Sequence, residues 1–137
     1  MDSSLIIIGA GLEQVYAYKL AREMGYKIIG TDANPNAPAF KYADYKLIAS
    51  TRNHIDTLNA VKKFKPANSI SGVLTLANDV PYTVAYVANY LGLPSISLNT
   101  ASLSIDKVKM KNNFEKKNVR TPIFEECNSL ETLLFFV

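Results

Sequence analysis

A chain of 137 residues, 48% hydrophobic and 20% charged, carries enough apolar side chains to bury the core of one domain, which excludes a disordered chain. Its 15 Lys and Arg against 12 Asp and Glu leave a net charge of +3, and the aromatic residues do not interleave with the basic ones, so charge gives no ground for a nucleic-acid partner. The lone cysteine, Cys127, allows no internal disulfide and forms no metal-ligand set with His54, while the start lacks a basic leader and no apolar run approaches the roughly 18 residues of a membrane span. A cytoplasmic protein with no membrane partner and no metal ligands of its own is expected.

Leu5, Ile6, Ile7 and Ile8 form a short apolar run ending at a glycine turn, the pattern of a strand buried on both faces. Residues 13–24 are good helix formers, with Val15, Tyr18 and Ala21 on one stripe and Gly25 as the stop. Residues 27–31 read as a second strand ending in Asp32, and the two prolines of 33–38 make that stretch a loop. A third strand is expected at 45–49, then a helix carrying Ile55, Leu58, Val61 and Phe64 and ending before Pro66. Residues 72–76 suggest a fourth strand, followed by a helix with Asp79 as cap, Pro81 in its first turn and Gly92 as its stop. A short fifth strand at 94–97, a lysine-rich helix over 100–117 with Met110 and Phe114 one turn apart, and an extended stretch at 119–124 complete the rhythm. Strands alternating with helices predict an open, mostly parallel α/β sheet with helices on both faces. Asn128 and Glu131 look like a capping box opening another helix, and Leu133, Leu134, Phe135, Phe136 and Val137 would leave a bare apolar end. The chain is therefore expected to be one domain over 1–124 with 125–137 starting a further segment of a longer protein.

Gly9, Ala10, Gly11, Leu12, Glu13 and Gln14 lie between a strand and a helix, with Asp32 some 20 residues on, which superficially matches a dinucleotide fingerprint. Two glycines permit a tight turn and close approach of a ligand to the backbone, and the helix start offers N–H groups to an anion. Gln14 stands where the fingerprint wants a third glycine, which weakens the dinucleotide case; a turn needing glycine for geometry alone is the simpler alternative. Asp32 and Asn34 sit in the loop after the second strand and Asn78 and Asp79 in the loop after the fourth, where open α/β sheets bind ligands. Asp32 and Asn34 could equally close an Asx turn, and Asp79 could be only a helix cap. His54 reads as a surface side chain, Cys127 as an inert thiol, and the late lysines as a solvated face.

The stretch from Leu5 to Gln14, the loop from Asp32 to Pro38, Ala43 with Asp44, and the run from Ser104 through Asp106 and Lys107 to Met110 occur together and in order. In this the chain resembles the N-terminal, Rossmann-like pre-ATP-grasp domain of ATP-grasp enzymes, carbamoyl-phosphate-synthase-like members above all, over nearly its whole length. The resemblance implies a parent ligase that activates a carboxylate as an acyl phosphate with ATP and magnesium, for attack by an amine or similar nucleophile. It assigns Lys107 to the ATP phosphates and Gly9, Gly11, Leu12 and Glu13 to the acceptor substrate, with a crossing contact near Asn78 or Asp79. It also implies that downstream ATP-grasp subdomains of the same chain complete the site, that no catalytic residue lies here, and that this segment alone does not turn over. A homodimer stays open. The alternative is a stand-alone nucleotide- or NAD(P)-binding module, which the spacing of Gly9, Gly11 and Asp32 would serve.

Overall fold

The isoleucine run forms β1 (Ser3–Ile8), and Ile6, Ile7 and Ile8 are fully buried because the strand has neighbours on both edges and helices on both faces. In the computed structural model, which describes residues 3–64 and 69–136, β1 pairs in parallel with β2 (Lys27–Asp32) and with β4 (Ser69–Leu74), and β2 with β3 (Tyr45–Ile48). The strand order is β3-β2-β1-β4. The chain steps outward from β1 to β3 and returns to the far side of β1, so the direction of winding reverses between β1 and β4.

Alternation along the strands sorts the core into two layers. Ile7 and Ile28 pack beneath Ala17, Tyr18 and Ala21 of α1 (Val15–Glu23), with Phe40 from the 3₁₀ turn Pro38–Tyr42. On the other face Ile6, Ile8 and Ile29 meet Leu58 and Val61 of α2 (His54–Lys63) and Val87 of α3 (Pro81–Tyr90). Each large apolar side chain withdrawn from water contributes about 1.5–3 kcal/mol, so both layers hold the sheet. Gly30 lets the first layer close: a Cβ there would lie 2.5 Å from the Tyr18 hydroxyl and 3.1 Å from the Phe40 ring. The parallel α/β, Rossmann-like architecture expected from the sequence is the one observed.

Several local expectations are corrected. The first helix opens as a 3₁₀ turn over Leu12–Gln14 before becoming α1. β4 ends at Leu74, earlier than expected, because the Thr75 hydroxyl donates to the Ile8 carbonyl at 2.7 Å and turns the chain off the ladder. Residues 94–97 form no strand. Pro94 has no N–H to give a ladder, and Ser97 instead caps α4 (Leu98–Ile105), its hydroxyl accepting the Thr100 N–H at 3.1 Å.

The single helix expected at 100–117 is two. Asp106 is extended (φ −111°, ψ 105°) and caps α5 (Lys107–Lys116), accepting the Lys109 N–H at 3.0 Å. Residues 119–124 join no sheet, and the Phe124 ring rests under the Lys111 ammonium, 5.0 Å from its centroid. The capping box at Asn128 and Glu131 is replaced by Ser129 and Thr132, the Ser129 hydroxyl accepting the Thr132 N–H at 3.1 Å at the start of α6 (Leu130–Phe136). α6 leaves its apolar side chains exposed, Phe135 by 94%. The second helix ends before Pro66 as expected, at Lys63 with Phe64 as its C-cap; Pro66 itself and the terminal Val137 lie outside the described residues. No described helix is long and apolar enough to cross a membrane.

Candidate functional site

The loops after β1, β2 and β4 meet where the winding reverses, the position at which open parallel sheets bind ligands. Gly9 is the knot. At φ +99° it adopts a backbone that side chains disfavour, its N–H donates to the Thr31 carbonyl at 2.8 Å, and its carbonyl accepts the buried Tyr18 hydroxyl at 2.9 Å. A Cβ on Gly9 would sit 2.9 Å from the Asn78 amide nitrogen, so Asn78 closes over the turn from the β4 side.

Gly11 is different in kind. Its backbone (φ −61°, ψ 176°) suits any residue, and among the described residues no atom beyond its chain neighbours lies within 4 Å of where a Cβ would be. The fold does not require glycine there; a bare backbone at the start of a helical run leaves room for a ligand against N–H groups that the helix itself cannot satisfy. Leu12 and Glu13 are exposed beside it.

Asp32 is engaged by backbone. One carboxylate oxygen accepts the Ala10 N–H at 2.8 Å and the other the Asn34 N–H at 2.9 Å, while Asn34 in turn accepts the Asn36 N–H at 2.9 Å. The Asx-turn reading of this loop is the geometry observed. Gln14 is 3% exposed and its Oε1 accepts the Leu76 N–H at 3.0 Å, joining the helix start to the end of β4. The side chain that seemed to spoil close packing is therefore the tie between two crevice loops.

Asn78 and Asp79 part company. The residue capping α3 is Val80, without a side-chain bond, so Asp79 is not the helix cap expected from the sequence. Asp79 instead lines a neighbouring cleft of about 530 Å³ with Arg52, His54, Tyr82, Thr83 and Ser102. His54 is no free surface side chain: its ring meets those of Tyr82 and Tyr86 edge-on, with centroids 5.0 and 4.6 Å away. No local pattern marks Arg52 or Thr83; only the parallel topology brings the starts of α2 and α3 to the same end of the sheet. Lys107 stands exposed in the first turn of α5, which packs on α4, and among the described residues no hydrogen bond or ion pair joins it to the glycine turn. A further cleft of about 490 Å³ is lined by Glu125, Glu126, Glu131, Thr132, Phe135 and Phe136, none of them from the strand-end loops.

A family model described as the PylC-like N-terminal domain matches residues 5–89 of this chain. The chain belongs to the PylC-like N-terminal domain family. Among solved structures, this PylC-like domain is similar to phosphoribosylglycinamide synthetase from Anaerococcus prevotii, with 29% identity and a TM-score of 0.76 over 99% of this chain and 35% of that one. It is similar also to N5-carboxyaminoimidazole ribonucleotide synthetase from Thermotoga maritima (22%, TM-score 0.71, 99% and 36% covered) and to L-amino acid ligase from Bacillus licheniformis (20%, TM-score 0.68, 96% and 34% covered). No curated protein sequence matches it. The PylC-like domain thus has the fold of an N-terminal pre-ATP-grasp domain of an ATP-grasp enzyme, and it spans about a third of the length of these structures.

Proposed function

We propose that this chain is the N-terminal substrate-binding domain of an ATP-dependent ligase that activates a carboxylate as an acyl phosphate for attack by an amine or similar nucleophile. The observation that carries the reading is the convergence of three strand-end loops on the turn of Gly9 and Gln14, with Gly11 left uncovered between them, in a domain whose solved neighbours are synthetases and a ligase. In this reading Gly9, Gly11, Leu12 and Glu13 border the acceptor, Asn78 faces it from the β4 side, and Asp32 and Asn34 hold the loop that shapes its floor, while Asp79 stands in the neighbouring cleft. Orientation of two reactants is the main service such a domain can render, since it lowers the entropic barrier to their encounter.

ATP belongs to later subdomains of a longer chain, with Lys107 reaching its phosphates. Lys107 suits that role better than its neighbour: the Lys109 ammonium is paired with Asp106 at 3.0 Å, whereas the Lys107 side chain has no partner among the described residues. Magnesium goes with ATP to those later subdomains; among the described residues no three His, Cys, Asp or Glu side chains gather as metal ligands. A cytoplasmic setting is part of the same proposal. The stand-alone NAD(P) module gains no support from a buried Gln14 in place of the third glycine or from an Asp32 already bound to two backbone amides.

The test is an assay of the complete natural gene product with ATP, magnesium and paired carboxylates and amines, following ADP, phosphate and amide product. Acceptor-dependent ADP release supports the reading; its absence with every pair overturns it. Lys107→Ala should raise the KM for ATP by roughly tenfold or more, the loss of about one charge-assisted phosphate contact. An unchanged KM removes Lys107 from the site.

A further inference from the structure

Helix α1 turns one face into the sheet and carries an apolar row on the other. Ala17, Tyr18 and Ala21 are buried beneath it, whereas Tyr16, Leu20 and the C-cap Met24 are 68%, 41% and 65% exposed. Residues four apart on a helix are neighbours, so these three side chains form one continuous row. Lys19 and Glu23 stand three and seven residues after Tyr16, which completes the spacing of a helix face that packs on another element. A helix face turned to water is normally filled with polar side chains instead. Lys19 and Glu23 are exposed and one turn apart, yet among the described residues neither makes an ion pair. The Lys19 ammonium lies 5.1 Å from the centroid of the Tyr42 ring, and the Lys41 ammonium 5.0 Å from the same centroid. The flank of the row is therefore positive at Tyr42 and carries, at Glu23, a carboxylate with no cation.

We infer that this face joins two copies of the chain, their α1 helices packing antiparallel about a two-fold axis at Leu20. The row is its own complement in that arrangement: Leu20 meets Leu20 of the second copy, and Tyr16 and Met24, each four residues from the axis, meet one another. Lys19 lies one residue before the axis and Glu23 three after it, on the same flank, and a two-fold axis brings like flanks together. Each therefore falls within about two residues, roughly 3 Å along the helix, of its opposite charge in the second copy. Two reciprocal ion pairs result, and this reversal symmetry singles out a second copy from other partners. Side chains of this size present roughly 200 Å² when free, so the row with its two charges offers on the order of 500 Å² per chain and the pair about 1,000 Å², the lower bound of a specific interface. The dimer is accordingly a weak one, dissociating in the micromolar range. Leu12, eight residues before Leu20, falls beyond the end of the second copy's α1, so the dimer leaves the glycine turn open and does not depend on the ligase reading.

The 137-residue chain is followed by sedimentation equilibrium across the micromolar range, where a reversible monomer–dimer equilibrium is expected. Lys19→Glu and Glu23→Lys should each weaken it roughly tenfold or more, since either substitution sets like charges across the axis at two places. An equimolar mixture of the two variants should regain the parental affinity, because each then brings the charge that the other lacks, and that recovery also shows both variants to be folded. A chain that stays monomeric throughout would overturn the inference. So would a dimer indifferent to both reversals, which would place the contact elsewhere, the exposed side chains of α6 included. A mixture that associates no better than its components would do the same.

Discussion

Gln14 Oε1 accepts the backbone N–H of Leu76 at 3.0 Å, across 62 residues of sequence and from within a nearly closed interior. A dinucleotide fingerprint would place glycine at this position and let the helix lean on the strand. Here an amide side chain takes the space and converts it into a bond between the glycine turn and the loop after β4. Replacing Gln14 by Leu keeps the volume but leaves the Leu76 N–H without its acceptor, which should cost about 1–3 kcal/mol in chemical denaturation. Gln14→Gly should cost at least as much, since it also opens a void; a stability equal to the parent would show that the bond holds nothing.

The two glycines of the turn should separate by experiment. Gly9→Ala forces a Cβ to 2.9 Å from the Asn78 amide at φ +99°, and the strain should destabilise the chain by roughly 1–3 kcal/mol. Gly11→Ala meets open space in an ordinary conformation, so its stability should change by less than about 0.5 kcal/mol. If Gly11→Ala nonetheless weakens substrate binding, the missing side chain serves a ligand and not the fold. Equal destabilisation by both would contradict the distinction.

Much of this was legible in the residues. A run of β-branched side chains ending in glycine can hardly be other than a buried strand, and Val15, Tyr18 and Ala21 marked the face of α1 that meets it. What failed depended on one side chain choosing between neighbours: Ser97 became a cap where a strand was expected, Asp106 divided one expected helix, and Ser129 displaced Asn128 as a cap. At the site, the sequence located the three loops but not their wiring. Arg52 and Thr83 come together only because parallel strands bring the starts of α2 and α3 to one end of the sheet, a long-range fact with no local trace.

Tyr18 makes the glycine turn sensitive to alkali. Burial, and secondarily the negative charge of Asp32, push its phenol well above the usual range, and its hydroxyl donates to the Gly9 carbonyl at 2.9 Å. Because the folded pKa lies above that of the unfolded chain, this stability is fully present below about pH 10 and is lost as pH rises past it. Tyr18→Phe should lower stability by about 1–2 kcal/mol at neutral pH, by leaving the carbonyl unsatisfied, and should flatten the alkaline decline. An undiminished slope above pH 10 in the variant would assign the decline to other tyrosines.

Asp44 supplies the acid-side counterpart. Burial alone would raise its pKa, but the Ile28 N–H at 2.9 Å, the Lys27 ammonium at 3.3 Å and the nearby Arg22 guanidinium outweigh that and hold the carboxyl below its ordinary value. A depressed folded pKa means that the contribution is present above the unfolded value of about 4 and is lost as pH falls through the lower, folded one. The bond matters structurally because Asp44 joins the start of β2 to the entry of β3 and closes the outer edge of the sheet, where the Asp44 N–H also reaches the Ile28 carbonyl at 2.9 Å. Asp44→Asn keeps the shape and can still accept from Ile28, but loses the charge. The difference in unfolding free energy between parent and variant should therefore be largest near neutrality and shrink below about pH 4; a difference constant with pH would mean that the charge of Asp44 contributes nothing to holding β3 in place.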